Sequence, residues 1–255
     1  MLLALDIGNT NTTLGVFRGE SLKATWRIAS DPARMADEYG LTLTQLLPLQ
    51  GVSPDEVDEI ALCSVVPPLT PTFVDLSQSY FGVSPLVVGA GTKTGVRILY
   101  DSPRDVGADR IVDAVAALEM YGGPAIIVDI GTFTVFDAIT KDGEYLGGAI
   151  APGIAVAADA LFHRASQLRR VELISPPEAI GKNTIHAIQA GLVLGFAELI
   201  KGMVARFDRE LGGGSKVVAT GGLAEVVEKE VGVFDAVNPD LTLIGLRLVH
   251  EMNKR

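Results

Sequence analysis

A short apolar run over residues 2–5 breaks into a cluster of small polar residues, Asp6-Ile7-Gly8-Asn9-Thr10-Asn11-Thr12-Thr13, and apolar character resumes over 14–17. This pattern predicts a strand, a sharp polar turn and a second strand. It occurs again half a chain later. Residues 125–128 are apolar and lead into Asp129-Ile130-Gly131-Thr132-Phe133-Thr134-Val135-Phe136. Aligning Asp6 with Asp129, an offset of 123 residues in a chain of 255, sets Ile7 on Ile130, Gly8 on Gly131, Asn9 on Thr132 and Asn11 on Thr134. Each second strand runs into a polar hairpin, Arg18-Gly19-Glu20 or Lys141-Asp142-Gly143-Glu144. A strand–turn–strand repeated with an Asp-x-Gly tip implies two related domains, divided as 1–118 and 119–255, facing each other across a cleft.

The remaining periodicity fills in an α/β pattern. The first half reads as strands at 2–5, 14–17 and 23–28, a helix over 37–47, and a buried strand over 57–66 stopped by Pro67-Pro68. A helix over 70–81 and a strand over 85–88 follow. An irregular stretch, 89–105, ends at Gly107-Ala108-Asp109-Arg110, which opens a helix with Ile111, Val112, Val115 and Leu118 on one face. The second half reads as strands through 125–140 and 145–150, a helix over 154–164, and a basic loop over 165–183 carrying Arg164, Arg169 and Arg170. A long helix over 185–211 has Ile188, Leu192, Phe196, Leu199, Met203 and Phe207 at helical spacing and a stripe of small residues, Ala187, Gly191 and Gly195. A strand over 216–219 enters Thr220-Gly221-Gly222-Leu223-Ala224, and a helix over 243–252 closes the chain.

Composition narrows the classes. Hydrophobic residues make up 48% of the chain, enough for a sizeable core, and the net charge of −10 argues against a nucleic-acid partner. The single Cys63 excludes an intramolecular disulfide and a cysteine-cluster metal site, and its apolar setting marks it as a core residue. The start lacks a basic segment and meets Asp6 early, unlike a signal peptide. No uncharged apolar run reaches the ~18–20 residues of a membrane span. The expectation is a soluble cytoplasmic protein.

The polar turns carry the chemistry. Gly8 lets the backbone approach a ligand, while Asn and Thr side chains and free N–H groups wrap phosphate oxygens. A carboxylate at a strand end, Asp6, suits Mg²⁺ held through water. Gly221-Gly222, after a buried strand, lets a nucleoside lie against the backbone. Phosphoryl transfer needs positioning, charge neutralisation and a group to receive the acceptor's proton. Asp109 beside Arg110, at a loop–helix junction, is the best-placed base, although a first-turn acid also stabilises a helix by itself. His163, His186 and His250 are isolated from any paired acid motif.

Taken together, Asp6-Ile-Gly-Asn-Thr-Asn-Thr, Tyr100-Asp-Ser-Pro with Val106-Gly-Ala-Asp-Arg, Asp129-Ile-Gly-Thr, Gly147-Gly-Ala-Ile-Ala-Pro-Gly, Ile180-Gly-Lys-Asn-Thr and Ala219-Thr-Gly-Gly-Leu span the chain. In this set and order the chain resembles the type III pantothenate kinases of the acetate/sugar kinase–Hsp70–actin superfamily. The resemblance implies duplicated actin-like, ribonuclease-H-like domains, each a mixed five-stranded sheet flanked by helices. It implies ATP-dependent phosphorylation of pantothenate to 4′-phosphopantothenate, the first step towards coenzyme A, without feedback inhibition by coenzyme A. Asp6, Ile7, Gly8, Asn9, Thr10, Asn11, Thr12 and Thr13 would embrace the ATP phosphates, with Asp6 near Mg²⁺. Thr132 would touch ATP, and Asp129 would bind a monovalent cation, K⁺ or NH₄⁺. Tyr100, Gly107, Ala108, Asp109 and Arg110 would line the pantothenate pocket, with Asp109 taking the hydroxyl proton. Thr184 would complete the neighbouring subunit's site in a homodimer.

The second turn departs from the family's usual Asp-x-Gly-Thr-Ala-Thr-Thr: Phe133 stands for the alanine and Val135 for the last threonine. Two other readings therefore stay open, a regulatory relative with little turnover and a kinase for another small hydroxylated acid.

Overall fold

The computed structural model describes residues 1–164 and 170–254. Residues 165–169, including Arg169 of the expected basic loop, lie outside the described residues. The chain forms two compact units. The first comprises residues 1–95, 102–116 and 242 onward, and the second 96–101 and 117–241.

The first unit opens with β1 (Leu2–Ile7), β2 (Asn11–Arg18) and β3 (Ser21–Ala29), then α1 (Ala36–Leu46), β4 (Glu59–Ser64), α2 (Leu69–Phe81) and β5 (Leu86–Val87). Its sheet runs β3-β2-β1-β4-β5, with β1 antiparallel to β2 and parallel to β4. β1 is central and buried on both faces, which is why it reads as a continuous apolar run rather than an alternation. The edge strand β3 alternates, as a strand with one wet face does. Leu3, Leu5, Ile7 and Val16 pack against Tyr39 and Leu43 of α1 and Phe73 and Leu76 of α2. The Tyr39 and Phe73 ring centroids lie 4.8 Å apart.

The chain continues through β6 (Arg97–Ile98), α3 (Ala108–Tyr121), β7 (Ala125–Ile130), β8 (Phe133–Ile139), β9 (Glu144–Pro152) and α4 (Ile154–Arg164). Then come α5 (Thr184–Gln189), α6 (Gly195–Glu210), β10 (Lys216–Thr220), α7 (Ala224–Val231), β11 (Ala236–Val237) and α8 (Leu241–Asn253). The second sheet runs β11-β10-β7-β8-β9-β6. Among the described residues it has six strands where five were expected, because β6 emerges from the stretch read as irregular and pairs in parallel with β9. Ile126, Val128, Ile130 and Phe136 pack against Val193, Ala197, Ile200 and Val204, with Val227 of α7.

The long helix differs from its expected form. A π-helical turn, Ala190–Leu194, joins α5 to α6. A π turn holds more residues than an α turn and so rotates the face that follows. Leu192 is buried as expected; beyond it Val193, Ala197, Ile200 and Val204 are buried, and the expected Phe196, Leu199, Met203 and Phe207 lie half-buried beside them. The whole helical run, Thr184–Glu210, is long and apolar enough to cross a membrane, and about 33% of its most apolar stretch is buried. Ala187, Gly191 and Gly195 are exposed, and a Cβ added at Gly191 or Gly195 would meet nothing within 4 Å.

The repeat survives in three dimensions with one slip. Asp6 pairs with Thr13 and Ile7 with Thr12, whereas Asp129 pairs with Val135 and Ile130 with Thr134. The second turn is one residue shorter, so Thr134 corresponds to Thr12 and not to Asn11. The register shifts agree: one falls at Val16/Phe17 and the other at Ala138/Ile139.

Candidate active site

In the first unit the turn after β1 is closed by the Gly8 N–H donating to the Asn11 carbonyl at 3.0 Å. A Cβ on Gly8 would sit 3.0 Å from that carbonyl oxygen, so glycine lets the turn be this tight. Asn9, Thr10 and Asn11 form the exposed tip, and Asp6, Gly8 and Thr13 are half-buried. Ile7 and Thr12, assigned with them to the phosphates, lie in the core. The Thr12 hydroxyl is paired with that of Ser30 at 2.9 Å, and the Ser30 N–H donates to the Thr10 carbonyl at 3.0 Å. Thr12 thus fastens the turn to β3, and the exposed tip presents the polar groups.

Asp6 sits beside Cys63 on the parallel strand β4, and the buried thiol donates to Asp6 Oδ1 at 3.5 Å. Burial, then the charges of Asp6, Asp109 and Asp113, push the Cys63 thiol well above its ordinary range. It is a core residue, as expected, and no nucleophile. Its bond to Asp6 went unforeseen because only strand pairing shows it.

Asp109 begins α3. Its Oδ1 accepts the Arg110 N–H at 2.8 Å, and a Cβ on Gly107 would collide with that same oxygen. Gly107 therefore makes room for the carboxylate to curl back over the helix start. Burial raises the Asp109 pKa above the usual carboxylate range, and the Arg110 N–H and guanidinium pull the other way. A carboxylate made more basic while held at a helix start is suited to take a proton. Ala108 and Arg110 are likewise half-buried, and every residue from Ile111 to Ala117 is buried, so the helix bearing the carboxylate is firmly anchored.

In the second unit Asp129 lies one residue before the end of β7, at the same register as Thr220 of β10. The Gly131 N–H donates to the Phe133 carbonyl at 2.9 Å, the Gly153 N–H to the Thr132 carbonyl at 3.0 Å, and the Leu223 N–H to the Ile130 carbonyl at 2.9 Å. Gly221, at φ 91°, lies so close that a Cβ would strike the Asp129 carboxylate and the Ile130 carbonyl. A Cβ on Gly153 would strike the carbonyls of Gly131 and Thr132. The structure thus brings Asp129, Thr132 and Gly221 around one turn. Val135 stands directly across from Asp129, and its next cross-strand neighbour is Ile150. The fully buried Thr134 hydroxyl has no hydrogen-bond partner. Thr12, its counterpart, finds Ser30; the corresponding register position here is Gly153, which has no side chain to offer.

Tyr100 is delivered by β6. The Leu99 N–H donates to the Tyr145 carbonyl at 2.8 Å, and the Tyr100 ring rests on Gly147, where a Cβ would be only 3.0 Å away. Behind it, 6.4 Å between centroids, the Tyr145 hydroxyl donates to the buried Asp137 at 2.6 Å. Thr184 is exposed at the first turn of α5, whose start is capped by Asn183 Oδ1 accepting the His186 N–H at 2.9 Å. Among the described residues no group of three or more His, Cys, Asp or Glu side chains is placed to hold a metal ion by itself.

Residues 2–206 match the family described as type III pantothenate kinase. The chain belongs to the type III pantothenate kinase family. It is 55% identical over 253 residues to the type III pantothenate kinase of Moorella thermoacetica, covering 99% of this chain and 100% of that one. It is 53% identical over 254 residues to that of Roseiflexus sp., covering 100% of both. Two solved structures share the fold alone. A conserved Baf family protein from Campylobacter jejuni has a TM-score of 0.62 at 19% identity, with 98% of each chain covered. The inorganic polyphosphate/ATP-glucomannokinase of Arthrobacter sp. has a TM-score of 0.54 at 12% identity, with 99% of each covered. The shared fold is one of mixed sheets flanked by helices.

Proposed function

We propose that this protein transfers the γ-phosphoryl group of ATP to pantothenate, giving 4′-phosphopantothenate and ADP. The observation that carries this reading is identity of 55% to a type III pantothenate kinase along essentially the full length of both chains. The acceptor hydroxyl gives its proton to Asp109 as its oxygen attacks the γ-phosphorus in line; the bond from phosphorus to the β-bridging oxygen breaks and ADP departs. Burial makes Asp109 more basic, which favours that transfer. Arg110 holds the pantothenate carboxylate, and Tyr100, braced on Gly147 and Tyr145, forms an apolar wall of the pocket. The exposed tip Asn9-Thr10-Asn11 and Thr132 grip the phosphates, and Gly221-Gly222 carries the nucleoside.

The residues present fit both cations. Mg²⁺ keeps much of its water shell and takes phosphate oxygens, so one carboxylate, Asp6, suffices without a protein cage. Beside the Asp129 carboxylate, the Ile130 carbonyl oxygen adds a second hard oxygen donor, a pairing that suits K⁺ or NH₄⁺. When bound, such cations neutralise phosphate charge as it shifts towards the leaving group.

A second copy of the chain is the expected cover for the open stripe Ala187, Gly191 and Gly195. Exposed Ile180 and Ile185 flank Thr184 in the same region. Sedimentation should show a dimer, and Gly195→Lys should yield a folded monomer with impaired pantothenate saturation, since Thr184 then serves no neighbour. A monomeric parent protein, or a dimeric and fully active variant, would remove this assignment.

The test of the reaction is ADP release from purified protein with MgATP and pantothenate, in K⁺ and in Na⁺ alone. Pantothenate-dependent release that needs K⁺ is expected. Release indifferent to K⁺ would keep the kinase and remove the cation role at Asp129. No release from folded protein would point to a regulatory relative and to Val135, which faces Asp129 without the family's hydroxyl.

A further inference from the structure

We infer that Cys63 is a positioning residue for phosphoryl transfer: its thiol donates to Asp6 and fixes the carboxylate's orientation towards the Mg²⁺–nucleotide. This rests on the proposed role of Asp6. Three observations support it. The first is the bond itself, Sγ to Asp6 Oδ1 at 3.5 Å, between residues at the same register of parallel strands. Side chains at matched positions of a parallel pair stand on one face of the sheet, so the contact is dictated by the fold. The second is burial. Cys63 has 0% exposure, so its thiol is held inside the first unit away from solvent.

The third is the internal repeat. In the second unit the corresponding turn carboxylate, Asp129, has Thr220 at the matched position of its parallel neighbour. Thr220 is also nearly sealed from solvent, at 2% exposure. Each unit therefore sets a small buried side chain with one donatable hydrogen next to its turn aspartate. A purely apolar core would serve packing equally well at both places. Ile60 and Leu62 of the same strand are apolar and pack in the first unit's core.

The consequence for the reaction is a defined rotamer. A carboxylate at a strand end has several open orientations, and only some aim an oxygen at the hydrated metal. Tying one oxygen to the thiol selects among them before the nucleotide arrives, which lowers the ordering cost at that moment.

The experiment compares Cys63→Ala, Cys63→Val and Cys63→Ser with the parent protein. Mn²⁺ serves as the probe, bound to enzyme saturated with a non-hydrolysable ATP analogue and followed by electron paramagnetic resonance. Mg²⁺ activation curves and the pantothenate KM are measured alongside. Loss of one weak hydrogen bond predicts that Ala and Val weaken Mn²⁺ binding and raise half-saturating Mg²⁺ by about three- to tenfold. Ser, which keeps a donor, recovers most of that loss, and the pantothenate KM stays within about twofold throughout, as a change confined to the metal–nucleotide side requires. Parent-like metal affinity in Ala and Val would overturn the inference. So would equal weakening in Ser, which would make volume the cause, or a pantothenate KM that moves as far as the metal affinity. Val fills the space that Ala leaves, so an Ala variant that does not fold leaves the test intact. If the parent protein turns over no pantothenate, the proposed function fails; Mn²⁺ binding to the nucleotide complex still judges Cys63.

Discussion

Asp109→Asn is expected to lower kcat/KM for pantothenate by about 10²–10⁴-fold, the usual worth of a positioned general base, while raising the melting temperature at neutral pH. Both effects come from the same burial. The ordinary value for this carboxyl is 3.8, and burial lifts it in the folded state. Between 3.8 and the lifted value the folded protein holds a proton that the unfolded chain has released. Stability contributed by this group therefore falls as pH rises through that window. Above it the folded state bears the full cost of a half-buried charge, and below it there is none. A neutral asparagine removes the cost and still offers an oxygen to the Arg110 N–H. The gain in melting temperature should thus be largest near neutrality and shrink as pH is lowered towards the window. Thermal melts and steady-state rates on the same preparations check both halves. Parent-like turnover would exclude Asp109 as the base, and a lower melting temperature at neutral pH would show that its charge is well solvated. The acid limb of the parent's rate profile should correspondingly lie above the pH at which an ordinary carboxylate titrates.

The second large effect is expected at Gly221. Its φ of 91° is costly for any side chain, and the added Cβ would press on the Asp129 carboxylate and the Ile130 carbonyl. Ile130 also accepts the Leu223 N–H at 2.9 Å, so relief by moving that backbone breaks the bond that seats the start of α7. Gly221→Ala should cost about 2–4 kcal/mol of stability, combining backbone strain with a buried clash. It should also lower kcat/KM for ATP by at least about tenfold, because the displaced carboxylate and turn both belong to the proposed nucleotide site. Gly232→Ala is the control. It also has a positive φ, 61°, but a Cβ there meets nothing within 4 Å. Strain alone should cost it about 1–2 kcal/mol. Denaturant titrations of the two side by side separate the contributions, and equal losses would show that the turn yields without resistance.

What the sequence disclosed and what it concealed follow from how far apart the interacting residues are. β1 and β7 are buried on both faces, so each appears as an apolar run ending at an aspartate, and the duplication could be read directly. The Gly-Gly after β10 was equally plain, because a glycine that must touch Asp129 admits no substitute. β6 and β11 were missed because two residues carry no periodicity. β6 is nonetheless the strand that sets Tyr100 against Gly147. The one-residue slip between the repeated turns was invisible to an ungapped alignment, since Thr and Asn occupy both candidate positions; backbone pairing resolves it. Thr12 was grouped with the exposed polar tip because polar residues at a turn are alike in a sequence, although its hydroxyl is taken by Ser30, just past β3. Asp109 was picked out by its place between Gly107 and Arg110, but the burial that makes it basic depends on packing that no local pattern reports. The bond between Cys63 and Asp6 needed the parallel pairing of β1 with β4.

The place of α8 bears on how the polypeptide comes off the ribosome. Leu243, Leu246 and Val249 are sealed in the interior, a Cβ on Gly15 would strike Leu243, and Asn253 clasps the backbone of Lys93 from both sides, accepting its N–H at 3.1 Å and donating to its carbonyl at 2.8 Å. The first unit thus lacks part of its own filling until the whole second unit has been synthesised. An emerging N-terminal half should remain loosely packed and open to chaperones during translation, and arrest of synthesis before residue 241 should leave it sensitive to protease.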